Sequence, residues 1–221
     1  MKVNLYEPWT DENEEKALLS TLRSKWWACG PRVAELESMI KAHTGAEDAI
    51  GFNSATSAFH AIFDYFRGGK IGAVEMPSLT FVSVAHSVAH NGHQIKWRDV
   101  REDSPHVSPE SPEGHAVISM DYAGVPCQYE GSAGLLVVDA AHSLGGYIKT
   151  GSVNTPVGSF GDATVFSFHA VKNIASCCGG MVVTWDIMLA RHLREIRNFG
   201  FRRTPGDNKP WIRRCLSLIH I

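Results

Sequence analysis

The sequence predicts an α/β fold in which a mostly parallel sheet lies between two layers of helices, a three-layer αβα arrangement. Short apolar segments alternate with segments of helical periodicity, as in doubly wound proteins. Several of these segments are apolar throughout, which is typical of strands buried on both faces. The chain of 221 residues is 44% hydrophobic and can bury a large core. Strands are predicted at 49–52, 71–76, 94–100, 116–122, 135–138, 163–168 and 180–184.

Helices are predicted between and before these strands. Asp11 and Glu14 resemble a capping box that opens a helix through about Ser24. A stretch rich in proline, serine and acidic residues, 101–114, is predicted to be a surface loop. The remaining helices are predicted from Gly30-Pro31 to near Gly45, from about 55 to 66, from about 82 to 91 and from about 186 to 198.

Composition excludes several functional classes. The formal net charge is −2 and no basic stripe indicates nucleic acid. No apolar run approaches the length of a membrane span, and the first residues lack the apolar core of a secretory signal. The five cysteines are irregularly spaced, which favours reduced thiols in the cytoplasm. The eleven histidines show no metal-binding spacing, so we expect no metal.

Two predicted strand ends carry the residues best suited to chemistry. Asp139 follows the apolar run 135–138, and Lys172 follows Ser167 after the next apolar run. Ligands of open α/β sheets bind at the carboxyl ends of the strands. A lysine with a depressed pKa can condense with the aldehyde of pyridoxal phosphate, and a carboxylate can hold the proton on its pyridine nitrogen. Taken singly, Asp139 also suits a helix cap and Lys172 a surface charge.

A second set of residues suits the other parts of such a cofactor. Ala55, Thr56 and Ser57 open a predicted helix, whose free N–H groups form an anion site for a phosphate. The alternative is an ordinary helix cap. Phe81 lies just past a predicted strand, where it can stack on a flat ring, although core packing is the commoner role of phenylalanine.

The order of these motifs resembles the DegT-type nucleotide-sugar aminotransferases, which have the aspartate-aminotransferase-like fold of fold-type-I pyridoxal phosphate enzymes. The similarity extends to about Gly200. It rests on Trp26-Trp-Ala-Cys-Gly-Pro-Arg-Val-Ala-Glu-Leu-Glu37, Asn53-Ser-Ala-Thr-Ser-Ala, Pro77-Ser-Leu-Thr-Phe, Asp121-Tyr-Ala-Gly, Val138-Asp-Ala-Ala-His-Ser-Leu-Gly, Phe166-Ser-Phe-His-Ala-Val-Lys172 and Gly179-Gly-Met-Val.

The resemblance implies a function and a role for each site residue. The function is transamination of a keto group on a nucleotide-linked sugar, with glutamate as amino donor and a homodimer as the full-length enzyme. Lys172 would form the covalent link to pyridoxal 5'-phosphate and shuttle protons. The other implied contacts are Asp139 with the pyridine nitrogen, His142 near the ring hydroxyl, Phe81 stacked on the ring, and Ala55, Thr56 and Ser167 around the phosphate.

Three departures from the family pattern bear on substrate preference. Cys177-Cys178 replaces a Gly-Glu pair, Asp121 replaces a frequent histidine, and the connection 122–134 is short. Three alternatives remain open: a sugar dehydratase, in which histidine replaces the lysine, a cysteine-desulfurase-like lyase, and a non-catalytic binding or regulatory module. Lys172 argues against the dehydratase, and its separation from His169 argues against the lyase.

The similarity ends after Pro210-Trp211. The last six residues, 216–221, can be encoded by a transposase-end adapter used in sequencing libraries. We therefore expect a cofactor-binding large domain with its amino-terminal helices at 1–211, a non-native tail at 212–221, and a missing small carboxyl-terminal domain that helps to hold the substrate.

Overall fold

Helices and strands alternate along the part of the chain that the computed structural model describes, residues 6–69, 71–107, 116–127 and 133–200 with Asn4 and Tyr129. The predicted tail at 212–221 lies outside these residues. The helices are α1 (Glu12–Ser24), α2 (Pro31–Thr44), α3 (Ala55–Tyr65), α4 (Val82–His90) and α5 (Ile187–Arg197). The strands are β1 (Asp48–Phe52), β2 (Val74–Pro77), β3 (Ile95–Arg98), β4 (Val100–Arg101), β5 (Ser104–Val107), β6 (Ala116–Met120), β7 (Leu135–Asp139), β8 (Tyr147–Thr150), β9 (Val153–Pro156), β10 (Ala163–Ser167) and β11 (Gly180–Thr184).

Seven of these strands form one sheet in the order β1-β11-β10-β7-β6-β2-β3. The pairs from β10 to β3 are parallel, whereas β11 is antiparallel to both β10 and β1. Strand β1 therefore runs in the same direction as the parallel strands. The carboxyl ends of β1, β2, β6, β7 and β10 share one edge of the sheet, which confirms the predicted mostly parallel α/β architecture.

The buried strands follow the sequence pattern. All five residues of β6, β10 and β11 are buried, as expected for apolar runs covered on both faces. The Asp11 side chain accepts the Asn13 N–H at 2.7 Å, and Glu14 accepts the Asp11 N–H at 2.7 Å, which confirms the predicted capping box. No helix within the described ranges is long and apolar enough to cross a membrane.

The core lies on both faces of the sheet. On one face, α3 contributes the fully buried Phe59 and Phe63, α4 contributes Val88, and α5 contributes Leu189 and Leu193. On the other, Ile40 of α2 packs in the cluster that contains Phe166 of β10. Full burial of each such side chain contributes about 1.5–3 kcal/mol. These two clusters fix the sheet as the middle layer, while α1 buries none of its residues.

Two hairpins depart from the sequence prediction. Strands β4 and β5 pair antiparallel, so the prediction of a surface loop is wrong at 104–107; residues 108–115 lie outside the described chain. Strands β8 and β9 also pair, although no strand is predicted there. Lys149 and Asn154 are exposed, so these strands lack the continuous apolar pattern of the central sheet.

An ion-pair network fastens α2 and α5 to β1. The buried Glu37 carboxylate accepts the Gly51 N–H at 2.8 Å and contacts the guanidinium groups of Arg194 and Arg197. Arg194 also binds Asp48 through two nitrogens, at 2.6 and 2.8 Å. The bond to Asp48 is the largest cause that raises the pKa of Arg194 above its usual range. The network joins a helix from each layer at the edge strand of the sheet.

Changing Glu37 to Gln should destabilise the fold by roughly 3 kcal/mol, because it leaves two arginines without their buried carboxylate. Urea unfolding monitored by circular dichroism measures this change. Glu35→Gln is the control on the same helix. Its pair with Arg32 is exposed (side chains 63% and 59% accessible for Arg32 and Glu35), so the expected loss is below about 1 kcal/mol. Equal losses for the two variants would contradict a stabilising role of the network.

Candidate active site

The candidate site lies at the edge of the sheet where the parallel strands end. Strands β7 and β10 are parallel neighbours, with Val165 in register with Asp139. Asp139 therefore lies at the carboxyl end of β7, and Lys172 lies in the turn that follows the carboxyl end of β10. The predicted convergence of these two strand ends is observed. The same edge carries the amino ends of α3 and α4, which follow β1 and β2.

Asp139 is a buried carboxyl group, only 2% exposed. Its Oδ1 accepts the Ala141 N–H at 3.2 Å. Its pKa is raised to about 6, chiefly by burial and also by the charge of Asp121, while the Ala141 N–H and the Lys172 ammonium act in the opposite direction. A buried carboxylate is costly unless a cation compensates it, so this position fits a protonated ring nitrogen.

The Lys172 side chain is half-buried. The backbone N–H of Lys172 donates to the His169 carbonyl at 2.9 Å. Burial lowers the pKa of the lysine below its usual range, and the Asp139 charge acts in the opposite direction. A lowered pKa increases the fraction of neutral amine, the form that attacks an aldehyde. The Asn173 side chain donates to the Leu144 carbonyl at 2.7 Å and fastens the lysine turn to the turn after β7.

His142 lies in the turn that follows β7. Its Nδ1 accepts the Ala123 N–H at 3.3 Å, so the proton of the neutral ring is assigned to Nε2. The ring meets Tyr122 edge to face at a centroid distance of 6.3 Å. Burial, followed by the charge of Lys172, lowers the pKa of His142. Neutral His142 can therefore donate a hydrogen bond from Nε2.

The amino end of α3, from Ser54 to Ser57, is a candidate anion-binding turn, or anion turn. Ser54 accepts the Ser57 N–H at 3.1 Å, and the N–H groups of Ala55 and Thr56 have no intrahelical acceptor at this end of a helix. The Thr56 hydroxyl donates to Ser83 Oγ at 2.9 Å, which ties α3 to α4. The helix cap predicted as the alternative is thus present and leaves two N–H groups for an anion.

Gly180 brings β11 against this turn. A Cβ atom on Gly180 would lie 2.4 Å from the Ala55 nitrogen and 2.4 Å from the Ser54 carbonyl carbon. In the sheet register, Gly180 pairs with Ser167 on one side and with Phe52 on the other. Ser167 is therefore one strand away from the strand end that leads into α3. Only a glycine permits this approach.

Phe81 precedes α4 at the carboxyl end of β2 and is 67% exposed. Core packing, the commoner role of phenylalanine, does not account for it. Thr80 beside it carries a buried hydroxyl without a hydrogen-bond partner. The sequence did not single out Thr80, and an isolated threonine provides no signal for it.

Asp121 and Ser143 are site residues whose roles the sequence did not indicate. Asp121 is fully buried, and its Oδ2 accepts the Ser143 hydroxyl at 2.6 Å. A signal was present, because Asp121 follows the apolar residues 116–120 in the same way that Asp139 follows 135–138. Among the described residues, no three His, Cys, Asp or Glu side chains are arranged to hold a metal ion.

A separate cavity of about 1000 Å³ lies beside the anion turn, between α2, α3, α5 and the segment that leads into β11. Cys29 and Cys178 both line it, and Cys178 donates its thiol to the Asn53 carbonyl at 3.2 Å. Asp139 and Lys172 are not among its walls. Because the titratable groups gather at the strand ends, we assign the chemistry to the strand ends rather than to this cavity.

The fold and this set of side chains fit the class of pyridoxal-phosphate-dependent proteins. The family model of the DegT/DnrJ/EryC1/StrS aminotransferases matches residues 8–215, and the chain belongs to that family. The family assignment agrees with the resemblance stated from the motifs. Its members use pyridoxal phosphate, which fits the buried carboxyl, the half-buried lysine and the anion turn.

Solved structures of sugar aminotransferases share the fold. A Streptococcus pneumoniae protein described as a sugar aminotransferase, Spr1654 in its PMP form, is 23% identical with a TM-score of 0.85 over 98% of this chain and 62% of its own. PseC of Helicobacter pylori, an aminotransferase of pseudoaminic acid biosynthesis, is 27% identical with a TM-score of 0.79 over 90% and 57%. DesI, solved in the presence of its TDP-sugar product, is 31% identical with a TM-score of 0.74 over 88% and 52%. The chain therefore spans about three fifths of the first of these relatives.

Changing Gly180 to Ala should weaken pyridoxal phosphate binding and destabilise the chain by about 1–3 kcal/mol, because the new methyl group meets the backbone of the anion turn. Cofactor titration and thermal unfolding measure the two effects. Gly179→Ala is the adjacent control, since its Cβ would lie 3.3 Å from the Phe168 side chain, where a small adjustment suffices. Unchanged cofactor affinity in Gly180→Ala would contradict the assignment of the anion turn.

Proposed function

We propose that this chain forms the cofactor-binding part of an aminotransferase that transfers an amino group from glutamate to a keto group on a nucleotide-linked sugar. The observation that carries the proposal is the half-buried Lys172 whose charge acts on both Asp139 and His142. The family assignment and the similarity to DesI, solved with its TDP-sugar product, support the substrate class.

In this proposal each side chain has one task at a named atom. The Asp139 carboxyl holds the proton on the pyridine nitrogen, and His142 Nε2 donates to the ring hydroxyl. The N–H groups of Ala55 and Thr56, with the Ser167 hydroxyl, bind the phosphate, and Phe81 stacks on the ring. The bound cofactor supplies an electron sink for the bonding pair left behind when a proton is removed.

Lys172 moves the protons. Its lowered pKa lets the neutral Nζ accept the proton of the amino donor and later return a proton to the product, a general base and acid at one atom. The same lysine provides the covalent attachment of the cofactor.

We also infer a homodimer in the cytoplasm. Helix α1 buries none of its residues and exposes Leu18, Leu19 and Leu22, an apolar surface suited to a second body. The cysteines within the described ranges, Cys29, Cys127, Cys177 and Cys178, are free thiols, as in a reducing compartment. We also propose that the cofactor-binding large domain ends at residue 211, as the sequence predicts.

Lys172→Ala should abolish covalent attachment of pyridoxal phosphate. Borohydride reduction of the loaded wild-type chain should add the cofactor mass to the peptide that contains Lys172, and the variant should gain none. Lys149→Ala, on the exposed face of β8, is the control and should bind as the wild type does. Labelling of another lysine in the wild-type chain would exclude Lys172 as the attachment point.

Glutamate is tested as the donor by a single half-reaction. The cofactor-loaded chain mixed with glutamate should release 2-oxoglutarate, up to one molecule per bound cofactor, and the visible absorption of the bound cofactor should change in parallel. Aspartate and ammonium are the comparison donors. Bound cofactor that turns over aspartate but leaves glutamate intact would overturn the donor assignment. Added keto sugars linked to different nucleotides then identify the acceptor by restoring the original spectrum.

A further inference from the structure

A second buried carboxyl group lies beside Asp139. Asp121 directly follows β6 and is 0% exposed. Its Oδ1 accepts the Cys127 N–H at 2.8 Å, and its Oδ2 accepts the Ser143 hydroxyl at 2.6 Å. Both contacts come from neutral donors. The carboxyl thus has well-formed hydrogen bonds, yet neither of these bonds brings a positive charge to it.

The two carboxyl groups are held at adjacent strand ends. The Asp121 N–H donates to the Asp139 carbonyl at 2.9 Å, which extends the pairing of β6 with β7 by one residue. The charge of Asp121 acts on Asp139 and favours its protonated form. The other groups that act electrostatically on the pair are Lys172 on Asp139 and His106 on Asp121.

Asp121 also connects the turn after β6 with the turn that carries His142. Ser143, which donates to Asp121, is the next residue after His142. The same two turns meet again where the Ala123 N–H donates to His142 Nδ1. Removal of the Asp121 carboxyl would therefore release one of the two hydrogen bonds that join the turn after β6 to the turn that carries His142. Asp121 is therefore bonded both to the end of the strand that carries Asp139 and to the turn that carries His142.

We propose that Asp121 is a positioning residue of the cofactor site, and that it supplies a second buried negative charge which stabilises a cationic pyridine nitrogen against Asp139. The inference rests on the proposed function and deepens it. Two adjacent buried carboxyls carry more negative charge than one bound pyridinium neutralises, so they favour the protonated ring over the neutral one. A neutral residue at this position would not supply that charge.

The Asp121→Asn variant removes the negative charge of Asp121 and keeps the shape of its side chain. The amide oxygen of Asn can accept the Cys127 N–H, and the amide NH2 can donate to Ser143 Oγ, so both hydrogen bonds persist while the negative charge is lost. Asp121→Ala removes the charge and both bonds. Asp162→Asn is the control for loss of one surface aspartate charge, because Asp162 is exposed and its Oδ2 accepts the Leu136 N–H at the amino end of β7.

The test measures pyridoxal phosphate affinity and the pH at which the pyridine nitrogen of the bound cofactor titrates, observed by NMR of cofactor labelled with 15N at that atom. With less negative charge nearby, the ring nitrogen loses its proton more readily. In Asp121→Asn the titration should therefore move to lower pH by about one unit, with about tenfold weaker binding, since one pKa unit corresponds to a tenfold change in an equilibrium constant. Asp162→Asn should behave as the wild type, and urea unfolding verifies that each variant is folded.

The outcomes distinguish an electrostatic role of Asp121 from a role in hydrogen bonding alone. Wild-type affinity and an unshifted titration in Asp121→Asn, with impaired binding in Asp121→Ala, would reduce Asp121 to a hydrogen-bonding residue and overturn the electrostatic proposal. If Asp121→Ala does not fold, Asp121→Asn alone decides between them. A wild-type chain that binds no cofactor would instead overturn the proposed function, and this inference with it.

Discussion

The contact of Gly180 with the amino end of α3 is the constraint on which the site depends. Strand β11 is antiparallel to both of its neighbours, so it begins at the edge where β10 ends. That reversal forces the connecting segment to remain at the ligand edge, and Lys172 lies within it. A side chain at position 180 would separate β11 from the anion turn. One glycine therefore lets β11 approach the anion turn while the segment that carries Lys172 stays at the same edge of the sheet.

Two kinds of buried carboxyl group occur in this fold, one without and one with a bonded cation. Asp121 and Asp139 are buried without a bonded cation, and burial raises the pKa of each. In contrast, the Glu37 carboxylate is buried with two arginines and a backbone N–H. The first arrangement suits the cationic ring proposed to bind there, whereas the second holds helices against the sheet. The same chemical group serves function or structure according to whether its counter-charge is part of the chain.

The sequence was sufficient for the features that depend on local pattern. Strand β7 and the position of Asp139 follow from an apolar run that ends in a carboxylate. The direction of β11 did not follow, because strand direction is set by pairing partners far along the chain. The hairpin of β8 and β9 was missed because its exposed residues hide the apolar pattern. The role of Asp121 required knowing that β6 and β7 are neighbours, which no local pattern specifies.

Cys177-Cys178, in place of the Gly-Glu pair of the family pattern, is accommodated after Lys172 because neighbouring residues hold the backbone of this segment. Cys177 has a φ of 62°, a left-handed conformation for which the glycine of the family pattern is better suited. The segment is nevertheless held from both sides, since the Ser176 N–H donates to the Phe168 carbonyl at 2.9 Å and the Cys178 thiol donates to Asn53. Ser176 and Cys178 line the cavity beside the anion turn, whereas Asp139 and Lys172 do not. The left-handed backbone at Cys177 is therefore held by the hydrogen bonds of the residues on either side of it.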